Sequence, residues 1–348
     1  MGGMQAMRLT AHGNPGEMRY EAVADPVPGV GQVVVDVVAC GLNHLDLWLE
    51  ENGLPVKPVL PRIQGCEVAG RVAMVGEGVQ GWRVGEVVAV QSNLFCGRCE
   101  FCERGEESLC LQGRLLGVDC DGGFAERVAV SADALVRVPD GVELVDSAAL
   151  TLAGSTAMHM LTDRVRVREG DWVLVVGAAS GVGSAAIQIA RHCGARVITT
   201  GRSEAKRALG LSLGAEHAVD TGGENWMAEV RRVTGRRGVD VVVEHVGGVV
   251  LEQCFHCLAR GGSIVTCGAT AGREVKLNLW PLFVKQQRLV GSYGRNRRDM
   301  EATLRAVAEG WLRPVVHEVY GLEETARAFA DLRSGRVLGK AVIRCGVA

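Results

Sequence analysis

The sequence lacks both a charge imbalance and any long apolar run. Its formal net charge at pH 7 is −2 over 348 residues, so nothing in its charge favours nucleic acid or an anionic membrane as a partner. No apolar run approaches the roughly 20 residues of a membrane span, and the first residues contain no signal-peptide core. These absences predict a cytoplasmic protein that binds neither nucleic acid nor membranes.

The chain is long enough for two domains, each able to bury its own core. Hydrophobic residues make up 47% and charged residues 22% of it, as in ordinary globular proteins. Its 12 cysteines, in a reducing cytosol, indicate metal binding, catalysis or burial before they indicate disulfides.

The first part of the chain contains short Val-rich runs bounded by Gly or Pro, a pattern typical of an all-β or barrel-like domain. The runs are 33–39, 67–76, 85–90, 124–130 and 134–139. The cysteine-dense segment 96–110 interrupts them and shows no apolar periodicity. We therefore expect a loop there that is held by something other than a hydrophobic core.

From about residue 154 the pattern changes to apolar strands that alternate with helical stretches. This alternation predicts βαβ units and a parallel sheet with helices on both faces. After residue 290 the pattern is mixed, with a helix near 298–309 and a final strand, KAVIRC. The predicted class is α/β, with a β-rich domain over 1–153, a doubly wound Rossmann domain over 154–293, and a tail over 294–348 that rejoins the first domain.

Four cysteines form a dense run, CGRCEFCERGEESLC, with C-x2-C-x2-C-x7-C spacing: Cys96, Cys99, Cys102 and Cys110. Two-residue spacings let successive thiolates turn inward on one ion, and four thiolates with no open position describe a structural zinc site. An iron–sulfur cluster is the main rival, but no proline follows the fourth cysteine and its spacing is long. Unliganded or disulfide-bonded cysteines are the remaining alternative. We expect one structural Zn²⁺ per chain.

The segment VLVVGAASGVGSAAIQIARHCGARVITTG predicts a strand, a Gly-rich turn, a helix and a second strand. In that context the glycines let the backbone approach a pyrophosphate, and the helix N-terminus offers it free N–H groups. Ser180 stands where a glycine is often found. The candidate dinucleotide-binding residues are Gly177, Ser180, Gly181, Val182 and Gly183, and a purely structural turn is the alternative.

The end of the second strand carries no acid that would bond the adenosine ribose and repel a 2′-phosphate. Instead Gly201, Arg202 and Ser203 follow the strand, with Lys206 one helical turn further on. A guanidinium and an ammonium suit a phosphate dianion, which favours NADP(H). NAD(H) stays possible, because Arg202 could be a solvated surface residue and Glu204 adds a negative charge.

In this order of segments the whole chain resembles the medium-chain dehydrogenase/reductases, which include zinc alcohol dehydrogenases and quinone oxidoreductases. The resemblance rests on the cysteine run, the GAASGVGSAAIQIA turn, GSTA at 154–157 and GLNHLDLW at 41–48. It implies a GroES-like catalytic domain, a Rossmann domain, an active site in the cleft between them, and a homodimer or homotetramer. By the same resemblance Thr156 lies on the nicotinamide side of the cofactor, and we assign Gly268 to the cofactor site as well.

Zinc alcohol dehydrogenases hold a second, catalytic zinc at three positions, and each of them departs here. The ligand positions carry Asn43, Cys66 and Leu152, and Leu45 replaces the first hydroxyl of the proton relay. Because an open catalytic zinc needs three protein ligands, we expect none here. A rearranged site is the alternative, and it would use residues from the set Cys40, His44, Asp46, Cys66 and Glu67.

Asn43 resembles the equivalent residue of zinc-free quinone oxidoreductases, where it lies near nicotinamide and substrate; the alternative is a turn-stabilising side chain. The candidate catalytic residues are Asn43, Asp46, Cys66 and Glu67. Without a Lewis acid, we expect hydride transfer to an electron-poor carbonyl, enone or quinone. A zinc alcohol dehydrogenase with rearranged ligands and a non-enzymatic NADPH-binding sensor are the alternatives. A zinc-ribbon nucleic-acid binder is disfavoured by the near-neutral charge.

Overall fold

The computed structural model describes residues 3–223 and 225–346. The chain divides into two units, which we call unit 1 and unit 2. Unit 1 comprises Met1–Leu152 with Arg295–Ala348, and unit 2 comprises Ala153–Gly294.

The β-strands are numbered in chain order. They are β1 (Met4–Ala11), β2 (Glu17–Val23), β3 (Gln32–Gly41), β4 (Arg62–Ile63), β5 (Glu67–Val75), β6 (Val87–Val90), β7 (Asn93–Leu94), β8 (Arg114–Leu115), β9 (Arg127–Ser131), β10 (Leu135–Arg137), β11 (Trp172–Val175), β12 (Arg196–Thr200), β13 (His217–Val219), β14 (Val239–Glu244), β15 (Leu258–Thr266), β16 (Arg288–Gly291), β17 (Val316–Gly321) and β18 (Lys340–Arg344).

The α-helices are numbered in the same way. They are α1 (His44–Glu50), α2 (Glu100–Glu103), α3 (Leu144–Leu150), α4 (Ala153–Met158), α5 (Gly181–His192), α6 (Glu204–Ser212), α7 (Trp226–Val233), α8 (Gly248–Cys257), α9 (Leu279–Val284), α10 (Arg297–Ala308) and α11 (Thr325–Arg333). A π-helical turn, His159–Arg164, follows α4. Within the described parts of the chain, no helix is both long and apolar enough to cross a bilayer.

Strand β3 lies at the centre of the larger sheet of unit 1, whose order is β10-β6-β5-β3-β18-β17, with β9 also paired to β3. Val33, Val35 and Val37 pack into one apolar core. Val38 and Ala39 pack into a second core on the other side. Because both faces of the strand are covered, its sequence is a near-continuous apolar run.

The last strand of the chain, β18, returns to this sheet and pairs antiparallel with β3. The register sets Val342 opposite Gly41 and Ile343 opposite Cys40. One further backbone bond, from Leu42 N–H to the Ala341 carbonyl at 2.9 Å, extends the contact beyond the end of β3. The pairing therefore brings Lys340, the first residue of β18, to the segment that begins α1.

Unit 2 is built on a parallel sheet in the order β13-β12-β11-β14-β15-β16. All four residues of β11 are buried, as expected for a strand covered by helices on both faces. The strand order reverses direction between β11 and β14, which makes the carboxyl ends of these strands the switch point of the sheet. The predicted α/β class with a Rossmann-type sheet is confirmed.

The cysteine-dense segment 96–110 is not entirely a loop. It contains the single-turn helix α2, which follows Cys99 and buries none of its residues. The backbone N–H of Glu103 donates to the Cys99 carbonyl at 3.0 Å. The turn brings the sulfurs of Cys99 and Cys102 together, and apolar periodicity could not reveal it because no core drives its formation.

Candidate functional site

Asn43 lies at the junction between β3 and α1, where it is the N-cap residue of the helix. Its backbone is extended, with φ −134° and ψ 160°, and its N–H donates to Asp46 Oδ2 at 2.9 Å. An acid three residues after the N-cap that accepts this bond is one half of a capping box. The GLNHLDLW segment therefore begins a helix at a fixed place beside the sheet.

Both ends of the Asn43 side-chain amide are bound. Lys340 Nζ donates to Asn43 Oδ1 at 2.6 Å. Asn43 Nδ2 donates to Glu67 Oε2 at 3.0 Å and to the Gly41 carbonyl at 3.2 Å. Because an ammonium can only donate, the amide oxygen must face Lys340, and this fixes the orientation of the amide.

Lys340 and Glu67 form a buried ion pair with 2.6 Å between Nζ and Oε2. Their exposures are 4% and 0%, so both charges are removed from water. Lys340 also donates to the Leu42 carbonyl at 2.7 Å, and Glu67 Oε1 accepts from the Leu152 N–H at 2.6 Å. With Asn43, these contacts use all three donors of the ammonium and both carboxylate oxygens.

Sequence reasoning selected Asn43 and Glu67 but missed Lys340. The available signal was a charged residue, after Gly339, directly before the apolar run of the terminal strand, which ends on Arg344. That signal marks Lys340 as unusual, since lysine is almost never fully buried unless it is paired. It does not reveal the partner, which lies in a strand far away in sequence.

Asp46 and Cys66 lie deeper in the same part of unit 1. Asp46 accepts bonds from the Asn43 N–H and from the Gly65 N–H, the latter at 3.2 Å. Burial raises the pKa of Asp46 to about 7 in spite of these bonds. Burial also raises the pKa of the Cys66 thiol well above its ordinary value, and the nearby Asp46 adds to this shift.

The four cysteines of the dense run come together in unit 1 as a cluster of sulfurs, all within 4.8 Å of one another. The Cys99 and Cys102 sulfurs are 3.5 Å apart, and the Cys96–Cys102 and Cys99–Cys110 pairs are 4.0 Å apart. Tetrahedral zinc with bonds of about 2.3 Å would separate its sulfur ligands by about 3.8 Å. The four residues therefore fit zinc as they stand.

Backbone N–H groups already favour thiolates in part of this cluster. The N–H of Cys102 is the main cause that lowers the pKa of Cys99 to about 6, and the N–H of Arg98 lowers the pKa of Cys96. Burial and the neighbouring sulfurs, by contrast, raise the pKa of Cys102 to about 12. Four thiolates together therefore need a cation among them.

The Gly-rich turn of unit 2 joins β11 to α5. Gly177 has φ +75°, and a Cβ at Gly183 would lie 2.1 Å from the Gly177 carbonyl oxygen, so both positions require glycine. Ser180 is the N-cap of α5, and its Oγ accepts from the Gly183 N–H at 2.8 Å. The N–H groups of Gly181 and Val182 have no partner within the helix itself, as in any first helical turn. Such a turn can bind a pyrophosphate.

The residues that follow β12 lie around the start of α6. Gly201 N–H bonds the Val219 carbonyl at 3.1 Å, and Ser203 is the N-cap of α6, with its Oγ 3.4 Å from the Lys206 N–H. Arg202 is exposed and Lys206 is half-buried. Thr200 Oγ1, at the end of β12, accepts from the Gly177 N–H at 3.0 Å and ties this region to the Gly-rich turn.

The two remaining predicted cofactor residues also lie in unit 2. Thr156 is buried in α4. Gly268 follows β15, and a Cβ there would come 2.7 Å from the carbonyl oxygen of His245, so only glycine permits this close approach. The loop after β15 thus lies directly against the residue that follows β14.

Comparison with known proteins gives a family match in the N-terminal part of the chain and another in its C-terminal part. Residues 29–140 match the alcohol dehydrogenase GroES-like domain, and residues 181–309 match the zinc-binding dehydrogenase family. An alcohol dehydrogenase of Geobacillus stearothermophilus is 32% identical over 329 residues, which is 94% of this chain and 95% of the relative. The chain belongs to the zinc-type alcohol dehydrogenases of the medium-chain dehydrogenase/reductase superfamily.

Two solved structures extend the comparison. The crystal structure of an NAD-dependent alcohol dehydrogenase superposes with a TM-score of 0.95 at 39% identity and covers 99% of this chain and 100% of its own. A crotonyl-CoA carboxylase/reductase, AntE V350A in complex with NADP, has a TM-score of 0.90 at 25% identity over 99% of this chain and 95% of its own. The expected GroES-like domain is confirmed, and the zinc-type dehydrogenase described here is an NAD(P)-dependent oxidoreductase.

At the positions of the family's catalytic zinc ligands, the Asn43 side chain is bound by other groups and the Leu152 side chain carries no ligand atom. The Asn43 amide is bound by Lys340 and Glu67, and Cys66 is buried. Leu152 has an apolar side chain, and its backbone N–H donates to Glu67 Oε1 at 2.6 Å. Among residues 3–223 and 225–346, the four clustered cysteines are the one group of three or more Cys, His, Asp or Glu with ligand atoms close enough for a metal.

Proposed function

We propose that this dehydrogenase uses NADPH to reduce small electron-poor acceptors, namely activated carbonyls, enones or quinones, and needs no catalytic zinc. The observation that carries the proposal is the commitment of the Asn43 amide. One side chain at the family's ligand position is bound by an ammonium on its oxygen and by a carboxylate and a carbonyl on its nitrogen. Because the polar atoms of this side chain are already hydrogen-bonded, it would have to give up these bonds to coordinate a metal.

The chemistry follows from this arrangement. The bound nicotinamide would supply the hydride. A simple alcohol must first become an alkoxide, and a zinc ion normally stabilises that anion. An enone or quinone needs no such help, because its own carbonyl accepts the developing charge. The chain's residues then have to orient the acceptor and exclude water, and solvent protonates the product.

Asn43 acts here by position. Both of its amide hydrogens are used by Glu67 and Gly41, so it is not a proton donor. Lys340 and Glu67 hold the Asn43 side chain at the start of α1. We propose that the junction of β3 and α1, fixed in this way, forms part of the surface that orients the acceptor. The alternative is that Asn43 only stabilises the turn. In that case its replacement should lower the stability of the protein and leave the turnover of the folded enzyme unchanged.

A zinc-dependent alcohol dehydrogenase with rearranged ligands is the second candidate, because relatives named alcohol dehydrogenases match along almost the whole chain. Such a site would have to recruit ligands from the set Cys40, His44, Asp46, Cys66 and Glu67. Glu67 is already occupied by Lys340, Asn43 and Leu152, which disfavours this candidate.

The test is a substrate panel with both cofactors. NADPH-dependent reduction of a small enone or quinone should exceed oxidation of ethanol or benzyl alcohol. Asn43→Ala should lower turnover more than NADPH affinity, since the dinucleotide-binding turn belongs to unit 2 and Asn43 to unit 1. Turnover confined to alcohols would overturn the proposal, and binding of NADPH without turnover of any substrate would favour a sensor.

We also propose NADP(H) as the preferred cofactor. Support comes from the residue after β12, Gly201, where an acid would have repelled a 2′-phosphate. Arg202 and Lys206, beside the start of α6, add positive charge for that phosphate. One structural Zn²⁺ per chain, held by Cys96, Cys99, Cys102 and Cys110, is proposed from the spacing of the four sulfurs. The metal there would hold the segment 96–110 in place of a core.

The remaining proposals concern location and assembly. We propose a cytoplasmic location; in its support, none of the 12 cysteines, all of them within the described residues, forms a disulfide. Helix α9 exposes Leu279, Trp280 and Phe283, and the neighbouring edge strand β16 exposes Leu289. An edge strand with exposed apolar side chains is a pairing surface, which supports a homodimer or homotetramer. Sedimentation equilibrium would count the subunits.

A further inference from the structure

Ser180, the residue that departs from the glycine pattern, is bonded to a histidine on another strand. Ser180 Oγ lies 3.0 Å from His245 Nε2 and 3.0 Å from the Gly177 carbonyl oxygen, and it accepts from the Gly183 N–H. A hydroxyl has one proton and two lone pairs. With the proton directed to Gly177 and one lone pair to Gly183, the other lone pair faces His245, so we assign the ring proton to Nε2, which donates to it.

His245 lies at the place where the sheet's topology puts a ligand. It follows β14 directly, and β14 and β11 are the neighbours at which the strand order reverses. In open α/β sheets the dinucleotide binds across the carboxyl ends of these strands. The half-buried imidazole also packs on the Gly-rich turn, because a Cβ at Gly177 would meet its Cε1 at 3.3 Å.

The backbone around His245 is fixed on both sides. Glu244 Oε1 accepts from the N–H groups of Val246 at 2.6 Å and Gly247 at 2.7 Å. Thr266 Oγ1 donates to Glu244 Oε2 at 3.0 Å. The imidazole is therefore presented by a rigid loop, and its position does not depend on a bound cofactor.

We propose that His245 is a positioning residue of the dinucleotide site, which fixes the Ser180 hydroxyl over the start of α5 and takes up a proton as the cofactor's pyrophosphate binds. The first role keeps the Ser180 side chain folded back, so that a serine can stand where a glycine is usual. The second role adds a positive charge beside an anion only when the anion is there. The inference is independent of the preference for NADP(H) and of the substrate.

The direction of the proton linkage follows from the surroundings of the ring. Burial lowers the pKa of His245, so the free protein holds a neutral imidazole at pH 7. Hydrogen bonds that the charged ring could donate to the backbone of Val176 and of His245 itself favour the charged form, but burial outweighs them. A pyrophosphate nearby would raise the pKa again. Cofactor affinity should therefore rise as pH falls through the pKa of the complex and level off below that of the free protein.

Few other titratable groups face the ring. The turn at 176–183 contains none. Glu244 is adjacent, but its carboxylate bonds Val246, Gly247 and Thr266. Burial raises the pKa of Cys267, in the loop after β15, to about 12, so this thiol is neutral. Arg273 lies further along the same loop.

The test counts protons. Calorimetry of NADH binding at pH 6 in two buffers of different ionisation enthalpy gives the protons taken up, and NADH is used because the 2′-phosphate of NADPH itself titrates near pH 6. The wild-type protein should take up a fraction of one proton, and its Kd should fall between pH 8 and pH 6 by at most tenfold per pH unit. His245→Gln keeps an N–H for Ser180 but cannot be protonated, so that uptake and pH dependence should vanish. His256→Gln, on an exposed histidine of α8, is the matched control and should behave as wild type.

The positioning role needs a second set of variants. At pH 8, His245→Ala should weaken NADH binding about twofold to tenfold, the range of one neutral hydrogen bond. In a Ser180→Gly background, His245→Ala should change NADH affinity little, because the hydroxyl that His245 holds is absent. If variants fail to fold, an NMR titration of the His245 ring in the wild-type protein should show its pKa rising when NADH binds. Equal proton uptake by the wild type and His245→Gln would overturn the proposal. So would losses of NADH affinity that add in the His245→Ala, Ser180→Gly double variant, or a His245 ring pKa that does not change when NADH binds.

Discussion

At the scale of single residues, the Glu67–Lys340 pair decides what Asn43 can do. Its two charges are buried, and desolvation of this kind is offset only when every donor and acceptor is used. The contacts with Leu42, Asn43 and Leu152 meet that condition. The pair is therefore fragile to the loss of either partner.

Lys340→Met tests this dependence. The change leaves Glu67 buried without its countercharge, so the free energy of unfolding should fall by about 3–5 kcal/mol. Urea denaturation measures it. Lys57→Met, on an exposed lysine of the same unit, should change little, and Lys340→Met with Glu67→Gln should recover part of the loss. A loss no larger than that of Lys57→Met would show that the pair has no such role.

Asp46 predicts a pH dependence of stability. Burial raises its pKa from 3.8 to about 7 in the folded chain, so its stabilising contribution is complete below pH 4 and is lost as pH rises to 7. Asp46→Asn has no such group. Between pH 5 and pH 8 the wild type should therefore lose roughly 2 to 3 kcal/mol relative to the variant. If urea denaturation gives the wild type and Asp46→Asn the same change in free energy of unfolding between pH 5 and pH 8, the pKa of Asp46 is not raised.

At the scale of elements, the segment 96–110 depends on its sulfurs and not on a core, since α2 buries none of its residues. Cys99→Ser should release zinc and destabilise the segment together with its contact to the start of α10, where the Ser108 N–H bonds Asn296 Oδ1 at 3.0 Å. Structural zinc contributes on the order of 10 kcal/mol in small zinc domains. Metal analysis and the melting temperature measure the change. Full zinc content with unchanged melting would show that the sulfurs hold no structural metal.

We expect the junction of β12 and α6 to set the cofactor preference. NADPH should bind more tightly than NADH, and Gly201→Asp with Arg202→Ile should reverse the order by removing a cation and adding a ribose-binding acid. A Cβ at Gly201 would lie 3.0 Å from Lys206 Cβ, so Lys206 has to shift, and Arg202→Ile alone is the gentler control. Fluorescence titration measures both cofactors. Equal affinities in the unmodified protein would count against the preference.

At the scale of the whole molecule, periodicity predicted the elements that carry a core. The Val-rich run at 33–39 lies within β3, the run at 67–76 extends one residue beyond β5, and the helix expected near 298–309 is α10. Apolar pattern fixes which face of an element is buried and leaves its partner unknown. For that reason Lys340, which reaches Asn43 across nearly 300 positions of sequence, was missed, and so was the bond between His245 and Ser180.

The most direct test of the central claim measures zinc and activity together. Metal content is determined before and after brief chelation that spares the four-cysteine site, with NADPH-dependent enone reduction and benzyl alcohol oxidation assayed on both samples. Without a catalytic metal, zinc should be close to one atom per chain in both samples, and enone reduction should be unchanged by chelation and faster than alcohol oxidation. A second zinc, with robust alcohol oxidation that disappears when this zinc is removed, would contradict the account.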